Sequence, residues 1–210
     1  MQLETDPSMW DQPQNGTLLT LPGLSILKEE TLSDLCAEDG DAMMNQLNDL
    51  SRIDKTYFAF LPTCETIAWH IKREDLNASL IHGHWKTRYR GVISESRRAW
   101  LIWHFDEIEC KLKVQRIVTL DRDERKRNTQ ELAALLRFAQ WTAKGSGITS
   151  VLIWNPDEET VAAAELLRSH YDRMRVSIAE RSGSLACARR RDDVWQDDLC
   201  WVANEFYAWC

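Results

Sequence analysis

The sequence predicts an α+β domain with a mixed, mostly antiparallel sheet flanked by helices. Three observations carry this. Lys111 to Leu120 alternates apolar and polar residues with the period of two of a strand. Leu132, Leu135, Leu136, Ala139 and Ala143 recur at three and four, the spacing of a helix face, and Gly145 and Gly147 end the run. Strand and helix patterns interleave from residue 99 to the end of the chain.

Taken in order, residues 1–25 are mostly polar, hold Pro7, Pro13 and Pro22 and carry an Asn15-Gly16 turn signal. They read as an irregular N-terminal arm, and residues 26–210 as a single domain. Thr31 with Asp34 resembles a capping box opening a helix through Leu35, Met43, Met44, Leu47 and Leu50, with Gly40 a candidate break. Tyr57 to Leu61 is a short strand. Ile67, Trp69, Ile71 and Leu76 lie in a helix that ends near His82-Gly83-His84. Val92-Ile93, Ala99 to Phe105 and Lys111 to Leu120 are strands. Asn128 or Thr129 caps the helix that follows. Thr149 to Asn155 is a strand, Pro156 leads into a helix through Val161, Ala164 and Leu167, and strands follow near Arg175 to Ala179 and Leu185 to Arg189. A final strand runs from Leu199 towards Cys210.

Composition narrows the class. With 210 residues the chain is long enough to bury a substantial core. No run of about 18 apolar residues occurs and no signal-peptide pattern opens the chain, so a cytoplasmic protein without a membrane partner is expected. The net charge of -7 disfavours nucleic acid as a partner, despite local basic spots at Arg122, Arg125 and Arg127 and at Arg189 to Arg191. The six cysteines are scattered singly, without zinc-site spacing, and read as buried free thiols. The ten tryptophans are about three to four times ordinary usage, and rings of this size serve a core, an interface or a pocket for an apolar ligand.

Several runs are more specific: Leu21-Pro22-Gly23-Leu24, Leu35-Cys36-Ala37-Glu38-Asp39, Ile67-Ala68-Trp69-His70, Val151-Leu152-Ile153-Trp154-Asn155-Pro156, and Trp201 to Cys210. Together they resemble the C-terminal domain of the fungal lysine N-acetyltransferase family, over roughly residues 20 to 210. The resemblance implies a GNAT acetyltransferase-like fold. In that family a separate N-terminal acetyltransferase domain precedes this region, whereas this chain opens almost directly into the later domain. Acetyltransferases of this fold bind the CoA pyrophosphate on backbone amides of a Gln/Arg-x-x-Gly-x-Gly/Ala turn, at a helix N-terminus. Here Leu120 to Asn128 has no glycine and carries Asp121, Asp123 and Glu124, so the expectation is no cofactor.

Candidate chemistry centres on Arg116 and Glu205. Alternation over Leu112, Val114, Arg116, Val118 and Leu120 places Arg116 on an apolar face, where a guanidinium needs acceptors. Glu205 is the one charge on the terminal face Trp201, Ala203, Glu205, Tyr207, Trp209. A contact between them reads either as a structural ion pair or as the polar anchor of a Trp-lined pocket, with Glu205 an acid or base. His104 is the histidine candidate for proton transfer, against a plainer solvent-facing or hydrogen-bonded role. Trp69, Trp100, Trp103, Trp154, Trp201 and Tyr207 are candidate substrate-binding residues. Asn155 either orients a carbonyl or caps the next helix. His82-Gly83-His84 lacks further ligands, so no metal is expected.

The function expected is a cofactor-independent enzyme of fungal secondary metabolism that cyclises or isomerises an apolar small-molecule substrate. A non-catalytic binding domain and an amine or lysine N-acetyltransferase with atypical acetyl-CoA binding are the alternatives. The sequence leaves the oligomeric state open.

Overall fold

The computed structural model describes residues 1–5, 23–50, 55–83, 89–120, 125–171, 174–180 and 199–209. Helix α1 (Glu29–Leu50) forms along the stripe Leu32, Leu35, Cys36 and Met43, and Glu29 and Glu30 suit the positive end of its dipole. It starts ahead of Thr31, whose hydroxyl donates to the Lys28 carbonyl at 2.8 Å, so the predicted capping box does not open it. It also runs through Gly40 unbroken. A helical glycine costs about 1 kcal/mol, less than the burial of a single leucine, about 1.5–3 kcal/mol. Helix α2 (Cys64–His82) begins at Thr63, whose side chain accepts from the Thr66 amide, and ends at Gly83 in the left-handed region, φ 69°.

Among the described residues seven strands form one sheet. Its order is β2 (Leu24–Ile26), β4 (Gly91–Ser94), β5 (Ala99–Asp106), β6 (Lys111–Thr119), β7 (Ser150–Leu152), β1 (Gln2–Thr5) and β8 (Met174–Ser177). Neighbours are antiparallel except β6 and β7, which run parallel. A separate parallel pair joins β3 (Thr56–Phe58) to β9 (Leu199–Trp201). Helices α3 (Arg125–Gly145) and α4 (Glu158–His170) cover one face, where Leu3, Leu101, Trp103, Phe105, Leu112 and Val114 pack on Leu135, Ala139 and Ala164. Helices α1 and α2 cover the other, with Leu35, Met43, Ile67, Trp100, Ile102, Val118 and Tyr207. Close packing fixes Gly91, where an added Cβ would lie 2.8 Å from the Leu101 carbonyl oxygen.

Several expectations change. Residues 1–25 are not irregular throughout, because Gln2–Thr5 is an interior strand paired on both sides. Met1 and Leu3 are buried there, a period-two alternation too short to outweigh the prolines that follow. Helix α3 starts ahead of Asn128, which is buried within it and does not cap it. The terminal strand stops at Trp201: Ala203 has φ 50°, and a single 3₁₀ turn spans Phe206–Ala208. Of the described cysteines only Cys36 is buried; Cys64 and Cys200 are half-buried and Cys110 is exposed. The predicted strand near Leu185 to Arg189, the residues Asp121 to Glu124 and His84 lie outside the described residues. No described helix is long and apolar enough to cross a membrane.

Candidate functional site at the parting of the parallel strands

Strands β6 and β7 pair over three residues, Lys111 to Lys113 against Ser150 to Leu152. Beyond that β6 continues to Thr119, while β7 gives way to Ile153, Trp154, Asn155 and then α4. Parallel strands that part at their C-terminal ends leave a crevice where ligands commonly bind in sheets of this kind. The segment after β9 enters this crevice and bridges its two walls. Asn155, itself at φ 46°, donates from its side-chain amide to the Asn204 carbonyl. On the other wall the Glu205 carboxylate accepts from the Ile117 amide at 2.8 Å and from the Arg116 guanidinium. Between them Phe206 lies 4.3 Å from Trp154, centroid to centroid.

A β-bulge makes the polar centre possible. Ile102 pairs with Arg116 but Trp103 pairs with Val114, so Gln115 is the extra residue. The bulge interrupts the alternation read from the sequence. Leu112 and Val114 face α3, whereas Arg116 and Val118 face α1 and α2. Arg116 there meets Asp39 of α1 in a bidentate pair, Nε to Oδ2 at 2.8 Å and the outer nitrogen to Oδ1 at 2.6 Å. Its remaining nitrogen bonds Glu205, and its guanidinium carbon lies 5.5 Å from the Tyr207 ring centroid. One cation thus serves two carboxylates, Asp39 buried and Glu205 part-buried, its side chain 16% exposed. Burial pushes the Glu205 carboxyl up to about 7 against the pull of Arg116, with Asp39 adding to the rise. Burial works against the Arg116 charge too, but Glu205 and Asp39 outweigh it and raise its pKa.

The predicted site residues fall into three groups. Arg116, Glu205 and Tyr207 are brought together, the last with its hydroxyl donating to the Phe60 carbonyl at 2.7 Å. Trp154 and Trp201 join an aromatic chain in which Trp201 and Trp209 stack at 5.7 Å, Trp154 and Trp209 meet edge to face at 5.3 Å, and Phe206 reaches His104 at 4.9 Å. Trp100 and Trp103 stand apart. Alternation sends them to opposite faces of the sheet, and both are 0% exposed, so they fill the two cores instead of lining one pocket. Trp69 lies half exposed on α2 beneath Arg73. His104 is buried, not solvent-facing. Asn155 does not cap α4; Asp157 does, accepting from the Thr160 amide at 2.8 Å.

The residue that sequence reasoning missed is Asp39. Its signal was present: Leu32, Leu35, Cys36, Asp39 and Met43 follow the i, i+3, i+4, i+7, i+11 stripe of α1, and Asp39 is the one charge in it.

The sheet order, the parting parallel pair and the helices on both faces define a GNAT-like α+β fold. Residues 8–210 match the GNAT_LYC1-like family model, the LYC1 GNAT-like C-terminal domain, and the chain belongs to that family. Strand β1 lies ahead of the matched residues. No curated protein and no solved structure matches the chain.

Proposed function

We propose that this domain is a cytoplasmic, cofactor-independent enzyme of secondary metabolism that cyclises or isomerises a largely apolar small molecule, with Glu205 as the proton-transfer group. One observation carries this reading: Glu205 sits at the mouth of a strand crevice, held by Arg116 and the Ile117 amide, with its carboxyl pushed up to about 7. A group with a pKa near the working pH both gives and takes a proton effectively. Arg116 and Asp39 position and tune it, the rings of Trp154 and Trp201 supply an apolar wall for substrate carbon, and Tyr207 is core. Trp100 and Trp103 act through packing.

The non-catalytic reading is favoured by one observation, that residues 204 to 206 fill the crevice themselves. Host cells expressing either the native chain or Glu205→Gln discriminate these readings by metabolite profile. Cyclisation and isomerisation conserve mass, so the proposal expects a product with the mass of its precursor and a changed retention time, lost in the variant. A product heavier by an acetyl group would establish the acetyltransferase alternative, and identical profiles would establish a non-catalytic domain.

A further inference from the structure

A polar seam runs along the α2 side of β5 and β6, beneath the 3₁₀ turn. Its two ends are satisfied ion clusters. At one end Lys113 bonds Asp106 at 2.6 Å and Glu109 at 2.8 Å; at the other stands the Asp39, Arg116 and Glu205 group. Between them are three uncharged side chains. His104 pairs across the sheet with Lys113 and so shares its face, and Gln115, two residues further along β6, returns to that face. His70 of α2 stacks on His104, ring centroids 5.8 Å apart and 9° from parallel.

These three are 0–2% exposed, yet five of their polar atoms have no partner among the described residues: Nδ1 of His70, both nitrogens of His104, and both side-chain polar atoms of Gln115. Buried polar groups are almost always paired, and one left unpaired is costly. Five on three residues at one sheet face offer donors and acceptors that a ligand can complete.

We propose that the His70, His104 and Gln115 seam is the subsite for an uncharged amide-like group of the substrate, a carbonyl oxygen beside an N–H or O–H. The inference rests on reading the crevice as a small-molecule site. The His70 Nε2–H donates to the Tyr207 carbonyl at 3.3 Å, which leaves Nδ1 as a bare acceptor. A neutral His104 adds one donor and one acceptor, and Gln115 adds a carboxamide. The three side chains offer donors and acceptors and carry no formal charge, and Lys113 and Arg116 at the two ends are already paired, so the seam selects against carboxylates and ammonium groups. Burial keeps both imidazoles neutral, lowering the His70 pKa to about 4 and that of His104 well below its usual value. A ligand so held lies near Phe206, whose ring centroid is 4.9 Å from that of His104.

The test is the imidazole nitrogen spectrum of histidine-labelled protein titrated with N-methylacetamide, with acetate as control. The expected result is a saturable shift of the His104 nitrogens with the amide, none with acetate, and loss of the amide shift in Gln115→Met. The variant itself should melt about 2–4 °C higher, because it removes unpaired polar atoms; Gln115→Leu replaces it if it does not fold. Absence of a shift in the native protein, or its persistence in both variants, overturns the proposal. The readout does not depend on turnover: a Glu205→Gln protein that keeps the shift but makes no product retains the subsite, and an active protein without the shift retains only the acid–base reading.

Discussion

Replacing Glu205 by Gln keeps the side-chain shape and an accepting oxygen while removing the titration. In the native protein burial moves this carboxyl from 4.5 to about 7. A group whose folded pKa lies above its unfolded value stabilises the fold fully below the unfolded value, and that contribution is lost as pH rises through the folded one. The window is therefore pH 4.5 to 7. At about 1.4 kcal/mol per pH unit the full effect is bounded at about 3–4 kcal/mol, and solvent reaching the part-exposed Glu205 side chain brings it to about 2–3 kcal/mol. Urea unfolding of both proteins from pH 4.5 to 7.5 measures it, since the other titrating groups are common to both and cancel in the difference. The variant should gain about 2–3 kcal/mol on the native protein across the window. A flat difference refutes the reasoning, because it would mean that Arg116 and the Ile117 amide keep Glu205 ionised and that no proton is available there at neutral pH.

Other outcomes follow from the same geometry. His70 has the opposite sign: its folded pKa of about 4 lies below the unfolded 6.5, so stability is lost as pH falls from 6.5 towards 4. In the same urea series His70→Gln should flatten that loss by about 2–3 kcal/mol. Arg116→Met strands the buried Asp39 and the part-buried Glu205 and should cost about 3–5 kcal/mol in urea unfolding, with much of it recovered when Asp39→Asn and Glu205→Gln are added. Gly91→Ala drives a Cβ against the Leu101 carbonyl and should cost about 1–3 kcal/mol by thermal unfolding. Thr63→Ala removes the cap of α2 and should cost about 1 kcal/mol by the same measurement.

Much of the fold was legible because the signals were local. The run Leu132, Leu135, Leu136, Ala139, Ala143 marks the buried face of α3, and Ala99 to Phe105 sorts its side chains between the two cores as alternation requires. Other features depend on distant partners. Gln2 to Thr5 has too few residues to announce a strand, and it is one because β7 and β8 pair with it on either side. The bulge at Gln115 leaves no mark in a period-two pattern, since it is a mismatch of count between two strands and not a property of one. The tryptophan excess pointed to a pocket, yet two of the candidate rings are core.

Arg116 and Glu205 illustrate why a contact can be read correctly through faulty geometry. The alternation that paired them assumed an unbroken β6 and a terminal strand through Glu205; the first is bulged and the second is a turn. What survived is the energetic requirement. A guanidinium placed in an apolar core needs acceptors wherever the backbone happens to put it, because an uncompensated buried charge costs more than any local rearrangement that finds it a carboxylate. That requirement does not specify how many carboxylates answer it. Asp39 alone, bidentate at 2.6 and 2.8 Å, already neutralises Arg116. Glu205 is the second acceptor on that charge, and burial first, with Asp39 adding to it, pushes its carboxyl up to about 7. Burial is the main cause of that rise and Asp39 a smaller one, so a Glu205 carboxyl paired with Arg116 alone would still be pushed up, by less.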